Sequence, residues 1–353
     1  MGSMRCRLLP ALVAMTLLVG CSTKSPEKSV TTAPAASVTH GSARTLIAQP
    51  RTDGQWPGPN GLSGVNGDPG LDTASVEAFC TARGRPCTIA HTYTDRASYP
   101  SMTSGSAWTL DNFADFPGAL VISQGLVPEG GESQLAGCAA GDYDDQWRAF
   151  GALLVRHGRG DSVVRLGWEF NVGTMPWRGT DTTTYVNCFR RAVSAMREKD
   201  PQVLIDWTIN GHRTPAGLCD GLSTNCYPGD DYVDVIGIDN YDHYPAATSK
   251  AVFEKAATAP EGLTWLYDFA HEHGKLFSVG EWGVVSGTGG GGDNPDFVTW
   301  MHAWFAAHAT ELAYEAYFSN CDQGGVQSSL YSTTADCTRN PESAGLYRTL
   351  FGS

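Results

Sequence analysis

Eight short apolar runs, each followed by a longer stretch of helical character, recur along this chain, and that alternation limits the folds open to it more than any other feature. The runs are GLSGVNG (61–67), TIAHTYT (88–94), GALVISQGL (118–126), VVRLGWEFN (163–171), VLIDWTIN (203–210), VDVIGIDNYD (233–242), LFSVGEWG (276–283) and LAYEAYFSN (312–320). Several are apolar at consecutive rather than alternate positions, as expected of parallel strands covered on both faces. Between them lie amphipathic stretches. Residues 143–159 carry Trp147, Phe150, Leu153, Leu154 and His157 on one stripe, and residues 184–200 carry Tyr185, Cys188, Phe189, Ala192 and Met196 on another. Asp200-Pro201 closes the second helix and launches the next strand. Eight βα units predict an α/β fold, a (β/α)8 TIM barrel, over residues 43–353, and argue against an all-β sandwich. An open doubly wound sheet shares the alternation, but no glycine-rich phosphate turn follows the first strand. Polar residues gather instead at the C-terminal ends of the runs, which in a barrel form one face, the catalytic one.

The N-terminal segment reads differently. Residues 1–21 place two arginines before an apolar run too short to span a membrane stably, and LVGC closes the run. This is the pattern of a lipoprotein signal peptide, with Cys21 as the lipidated residue of the mature chain. Residues 22–42, rich in Ser, Thr and Pro, suit a flexible tether. The expected protein is therefore exported and lipid-anchored to a bacterial cell envelope, touching the membrane only through Cys21, with the barrel a monomer. Without residues 1–21 the chain carries 22 basic and 37 acidic residues, a formal charge of −15. No basic face for a phosphate backbone is expected, so nucleic acid is not a partner.

Setting aside Cys6 and Cys21, eight cysteines remain in an exported chain, an even number that suggests disulfides. The connectivity is open on sequence alone. Loop length favours Cys80–Cys87 and Cys219–Cys226, leaving Cys321–Cys337 and Cys138–Cys188. Neither C-x-x-C nor H-x-x-x-H spacing occurs among them, so neither zinc nor another metal is expected. No cofactor is expected either. GxSxG is absent, and GTGGGGDN (287–294) has neither the lysine nor the position of a phosphate loop; it reads as a flexible rim loop.

Two acids stand at the C-terminal ends of otherwise apolar runs, Glu169 in the fourth and Glu281 in the seventh. An unpaired buried carboxylate is costly, so each needs a partner or a task. Arg165 shares the strand face of Glu169 and is a candidate partner for it. Taken together the two are more informative, because their 112-residue separation is three βα units, which puts both on one rim of the mouth. Two facing carboxyls suit glycosidic bond cleavage, one attacking the anomeric carbon while the other protonates the leaving oxygen and then activates water.

The segments RLGWEFNVGTMPW (165–177), VDVIGIDNYD (233–242) and VGEWG (279–283) resemble clan A of the retaining glycoside hydrolases, most closely family 26, best known for β-mannanases. The resemblance spans most of residues 55–325. It implies Glu169 as acid/base, Glu281 as nucleophile, Tyr241 as a hydrogen-bond donor to the nucleophile and Trp177 as a sugar platform. Trp168 stands where β-mannanases of that family usually have histidine, a departure that bears on mannan specificity.

Aromatic side chains pack on the apolar faces of sugar rings. Trp168, Trp177, Tyr241, Trp282 and Tyr317 are candidates at strand ends. Asn171, Asn210, Asp239 and Asn320 are candidates for sugar hydroxyls, while Trp207 reads as core and His91 and His212 carry no catalytic assignment. The expected partner is a polysaccharide or oligosaccharide, a β-linked mannan or related β-glycan, cleaved internally. Two other functions fit the same acids: a transglycosylase or hydrolase acting on an envelope polysaccharide of another linkage, and a carbohydrate-binding lipoprotein that no longer turns over.

Overall fold

The computed structural model describes residues 40–67 and 72–352, which fall in one compact unit, Val38–Ser353. The expected signal with Cys6 and Cys21, and the tether up to residue 39, lie outside the described residues. Strands β1 (Ser63–Gly67), β2 (Ile89–Tyr93), β3 (Ala119–Gln124), β4 (Val163–Leu166), β5 (Leu204–Asn210), β6 (Val235–Tyr241), β7 (Leu276–Gly283) and β8 (Leu312–Ser319) pair in sequence order, all parallel, and β8 returns to β1 to close the barrel. Each lies inside the apolar run that announced it. The chain is a (β/α)8 barrel.

The helices are α1 (Ala43–Ile47), α2 (Thr73–Arg83), α3 (Tyr99–Met102), α4 (Ala107–Asp111), α5 (Leu135–Ala140), α6 (Asp144–Arg156), α7 (Thr182–Arg197), α8 (Lys250–Thr258), α9 (Leu263–Glu272), α10 (Pro295–Ala307) and α11 (Pro341–Phe351). Side chains close several of their N-termini: Asp72 accepts from the Ser75 amide and Asp181 from the Thr184 amide, satisfying donors that the helix itself leaves free.

Alternation along the strands sorts side chains into two compartments. Ile89, Ala119, Val121, Val163, Leu204 and Val235 point inward and pack with Ala43 and Ile47 of α1, which stoppers one end of the barrel. Their neighbours Ala90, Leu120, Ile122, Val164, Ile205 and Ile236 point outward into the larger core beneath the helices. Farther along the same inward rows the residues turn polar. Ser123, Arg165, Asp206, Thr208, Asp239 and Ser278 are all buried there, cross-linked by side-chain hydrogen bonds such as Ser278 and Tyr314 to Asp206. The barrel thus has an apolar floor, a polar middle layer and, above it, the mouth.

Disulfides join Cys80–Cys87, Cys138–Cys188, Cys219–Cys226 and Cys321–Cys337, with Cα separations of 5.6, 4.9, 5.4 and 4.8 Å. The second ties α5 to α7, and the fourth clips the loop after β8. No helix among the described residues is long and apolar enough to cross a membrane.

Candidate active site

Glu281 owes its inward direction to one extra residue. Ile238 of β6 pairs with Val279, yet the next residue, Asp239, pairs with Glu281, so Gly280 is bulged out of register. Without that bulge the inward row of β7 would run Leu276, Ser278, Gly280, Trp282; with it Glu281 turns inward. A Cβ on residue 280 would lie 2.5 Å from Nε of Arg165, so only glycine leaves room for the guanidinium. The buried His91 stands against the bulge. Arg165 donates to its Nε2 at 3.0 Å, and its Nδ1 lies 3.0 Å from the Gly280 carbonyl and 2.7 Å from Asn66 Nδ2. Burial, reinforced by the Arg165 charge, holds this imidazole well below its ordinary pKa, hence neutral.

Three donors converge on Glu281, which is 6% exposed. The Tyr93 hydroxyl donates to Oε1 at 2.7 Å, Arg165 to the same oxygen at 2.9 Å, and the Tyr241 hydroxyl to Oε2 at 2.8 Å. A side chain that only accepts, one bond coming from a cation, has the hydrogen-bonding character of a carboxylate. Arg165 is itself fixed by both oxygens of Asp239, at 2.5 and 2.6 Å. Burial alone would lower the guanidinium, but the Asp239 and Glu281 charges keep it well above its ordinary value, so its charge is permanent. Arg165 therefore partners Asp239 and Glu281, not Glu169 as its spacing suggested.

Glu169 is held differently. The chain leaves strand geometry after Leu166, and Gly167 and Glu169 take left-handed backbone angles, φ 56° and 53°. The Glu169 amide still donates to the Thr208 carbonyl at 3.0 Å, keeping the turn against β5. Its carboxyl, partly exposed, accepts one bond, from Asn210 Nδ2 at 2.6 Å. Burial first, and the Glu281 charge second, raise its pKa to about 7. The mouth thus presents two carboxyls in unequal hydrogen-bond environments, three donors including a cation on Glu281 and one neutral donor on Glu169.

Of the other sequence candidates, Asn320 is partly exposed in the loop after β8, its side chain accepting from the Asp322 amide at 2.9 Å; the rest divide. Asn210 contacts Glu169, and Tyr241, partly exposed, contacts Glu281. Trp168 is 4% exposed, with its ring 5.5 Å from that of Tyr93, and forms a wall of the site. Five candidates do not face the mouth. Asp239 is fully buried and committed to Arg165. Asn171 is buried, bonding the amide and carbonyl of Asn210, so it fixes the end of β5. Trp177 is buried behind the Glu169 turn, its indole donating to the Trp168 carbonyl at 2.7 Å, and no sugar can reach its ring. Trp282 and Tyr317 point outward beneath the helices, Trp282 donating to Glu315 and Tyr317 to the Ser328 carbonyl. Neighbours on a strand face opposite ways, so an inward Glu281 forces Trp282 outward. Tyr93, unassigned from sequence, belongs to the site; it continues the inward row Ile89–His91–Tyr93, which strand parity alone could have revealed.

The class defined by fold and site is a closed (β/α)8 barrel whose mouth holds two carboxyls, one in the turn after β4 and one on β7. Within that class, residues 168–276 match the model of glycosyl hydrolase family 26, a segment holding Glu169 and Tyr241 and ending just before Glu281. A mannan endo-1,4-β-mannosidase of Bifidobacterium adolescentis is 24% identical over 235 residues, 62% of this chain and 22% of that protein. The chain therefore spans about a fifth of the length of that curated relative. Among solved structures, GH26C of a Muricauda species superposes with a TM-score of 0.59 at 15% identity, covering 88% of this chain and 87% of that one. The catalytic domain of a Bacillus sp. JAMB-750 endo-β-1,4-mannanase gives a TM-score of 0.54 at 16% identity, covering 90% and 91%. At such identities the likeness concerns the fold.

Proposed function

We propose that the chain is a family 26 glycoside hydrolase that cuts a β-linked polysaccharide, a mannan or related β-glycan, internally and with retention. The observation that carries this reading is the contrast between its two acids. Glu281, gripped by Tyr93, Arg165 and Tyr241, is oriented and acceptor-only, as a nucleophile must be. Glu169, raised to about 7, keeps its proton near neutrality and can donate it.

In the first step Glu281 attacks the anomeric carbon while Glu169 protonates the departing oxygen, leaving a glycosyl ester on Glu281. The ester carries no charge, so the repulsion that helped hold the proton on Glu169 disappears. Glu169, now a carboxylate, takes a proton from water as that water attacks the anomeric carbon; the bond to the Glu281 oxygen breaks, and both acids return to their first state. Asn210 holds Glu169 in both charge states; Arg165, anchored by Asp239, holds Glu281. The polar, acidic character of the chain suits a neutral glycan. We place the enzyme outside the cell, tethered to the envelope through lipid on Cys21.

The reading is tested by a panel of β-mannans, β-glucans and envelope polysaccharides with product analysis, run beside Glu281→Gln. Internal cleavage products of retained anomeric configuration that vanish in the variant are expected. Products as large with the variant would refute the assignment, and products longer than the substrate would reveal transfer to sugar instead of water.

A further inference from the structure

Among the described residues the large hydrophobic side chains left exposed are Trp108, Val155 and Tyr244. Both aromatics lie in connections that follow a strand, Trp108 on the short helix α4 and Tyr244 in a loop. Trp108, on α4 in the connection that follows β2, lines a cleft of about 370 Å³ with Tyr93, Asp95, Arg96 and Glu129. Tyr244 follows β6. In a closed eight-stranded barrel with sequential strand order, β2 and β6 stand opposite each other, so the two rings flank the carboxyl pair from opposite sides.

Tyr244 is the more constrained. It is 61% exposed although its backbone is left-handed, φ 47°, an unfavourable state for a bulky residue that persists only where surroundings impose it. Those surroundings are the glycine run. The Tyr244 hydroxyl donates to the Thr288 carbonyl at 3.1 Å, and residue 243 bridges residue 290. A Cβ on Gly289 would lie 2.4 Å from the tyrosine ring, and one on Gly290 would lie 2.0 Å from the Val285 carbonyl oxygen. The run expected as a free rim loop is a close-packed bed beneath one aromatic ring.

The ring is also linked to the acid/base. Glu169 accepts from Asn210, the Asn210 side chain meets His212, and the His212 ring lies 4.8 Å from that of His243 and 6.2 Å from that of Tyr244. The general acid protonates the oxygen that departs with the leaving group, so the leaving half of the substrate lies on the Glu169 side. From this geometry we propose that Tyr244, held on the glycine bed, is a binding platform for the leaving-group portion of the chain, taking an uncharged sugar ring beyond the cleavage point. Burial lowers His212, and burial with the His212 neighbour lowers His243 to about 4, so neither adds charge at neutral pH. The Tyr93–Trp108 cleft opposite takes the other half.

This inference rests on the hydrolase reading, and the test separates the two. Tyr244→Ala should lower kcat/KM for mannohexaose or cellohexaose about tenfold, the scale of one lost aromatic contact. It should leave a disaccharide β-fluoride, whose leaving group has no ring, within twofold of wild type, and Tyr244→Phe should behave as wild type on both. The same Ala substitution in a Glu281→Gln background should weaken hexaose binding, measured calorimetrically, about tenfold. Equal losses on hexaose and fluoride, unchanged hexaose affinity, or no hexaose binding by either protein would overturn the platform. Absent turnover by wild type combined with a Tyr244-dependent affinity would instead overturn the hydrolase reading and leave the platform standing.

Discussion

If the Glu281 charge helps hold the proton on Glu169, removing that charge must lower the Glu169 pKa. Glu169 stands at about 7 against an ordinary 4.5, a difference worth about 3.5 kcal/mol at ~1.4 kcal/mol per pH unit. Burial is the first cause and Glu281 the second. Two unit charges roughly 5.5 Å apart, the spacing retaining glycosidases use, repel by about 3 kcal/mol at an effective dielectric of ~20. The half-open mouth screens part of this, so Glu281→Gln should bring Glu169 down by about one to two pH units, toward 5–6, with the rest of the elevation left to burial. The direct assay is a 13C NMR titration of glutamate carboxyls in wild type and Glu281→Gln, with Glu169→Gln supplying the assignment. The wild-type resonance should titrate near 7 and the variant resonance lower. A variant pKa equal to or above the wild-type value would show that burial alone sets it, and that ester formation on Glu281 cannot switch Glu169 from acid to base.

Stability should follow the same group. Its folded pKa lies above the unfolded one, so its contribution to stability is full below about pH 4.5 and is lost as pH rises through about 7. Glu169→Gln should therefore raise the melting temperature at pH 8, by an equivalent of up to about 2 kcal/mol after allowing for partial exposure, and leave it unchanged at pH 4. For catalysis, azide should rescue Glu169→Ala with an activated aryl glycoside, giving a glycosyl azide of retained configuration, and Glu281→Ala with inverted configuration. The opposite stereochemistry would exchange the roles. Gly280→Ala should push Arg165 away and cost at least a hundredfold in kcat, on the scale of a lost ~3 kcal/mol charge-assisted contact, while circular dichroism shows the barrel intact; near-normal turnover would refute the account of the bulge. Cys21→Ser should move the protein from membrane to soluble fractions, and unchanged fractionation would exclude lipid anchoring at that residue.

The barrel was legible because burying both faces of a parallel strand leaves an unmistakable apolar run. All eight strands fall inside such runs. The two acids were legible for the converse reason, that a carboxyl ending an apolar strand needs explaining. Their surroundings were harder to read. Trp177, Trp282 and Tyr317 sit at or near strand ends as a sugar platform would, but composition at a strand end does not say which way a ring points. Trp177 closes the space behind the Glu169 turn; Trp282 and Tyr317 belong to the outward rows, where Trp282 also donates to one oxygen of the buried Glu315. Asp239 and Asn171 were read as ligands for hydroxyls because they are polar and near the rim. The structure uses each to immobilise a neighbour that does face the mouth.

Strand parity could have corrected part of this, and its one failure is instructive. On β2 it yields Tyr93 directly from His91. On β7 it misleads: counting by twos from the inward Ser278 reaches Gly280 and Trp282 and leaves Glu281 facing the helices. The register slip at Gly280 reverses that result. Such a bulge has no side-chain signature beyond a glycine, and the chain has 41 glycines. What marks this one is Arg165, whose Nε would lie 2.5 Å from any Cβ at that position. The constraint joins residues on β4 and β7, far apart in the chain. The glycine makes room for the guanidinium, the guanidinium meets the carboxylate, and the bulge that turns the carboxylate inward is also where the glycine sits. Each is explicable only through the others.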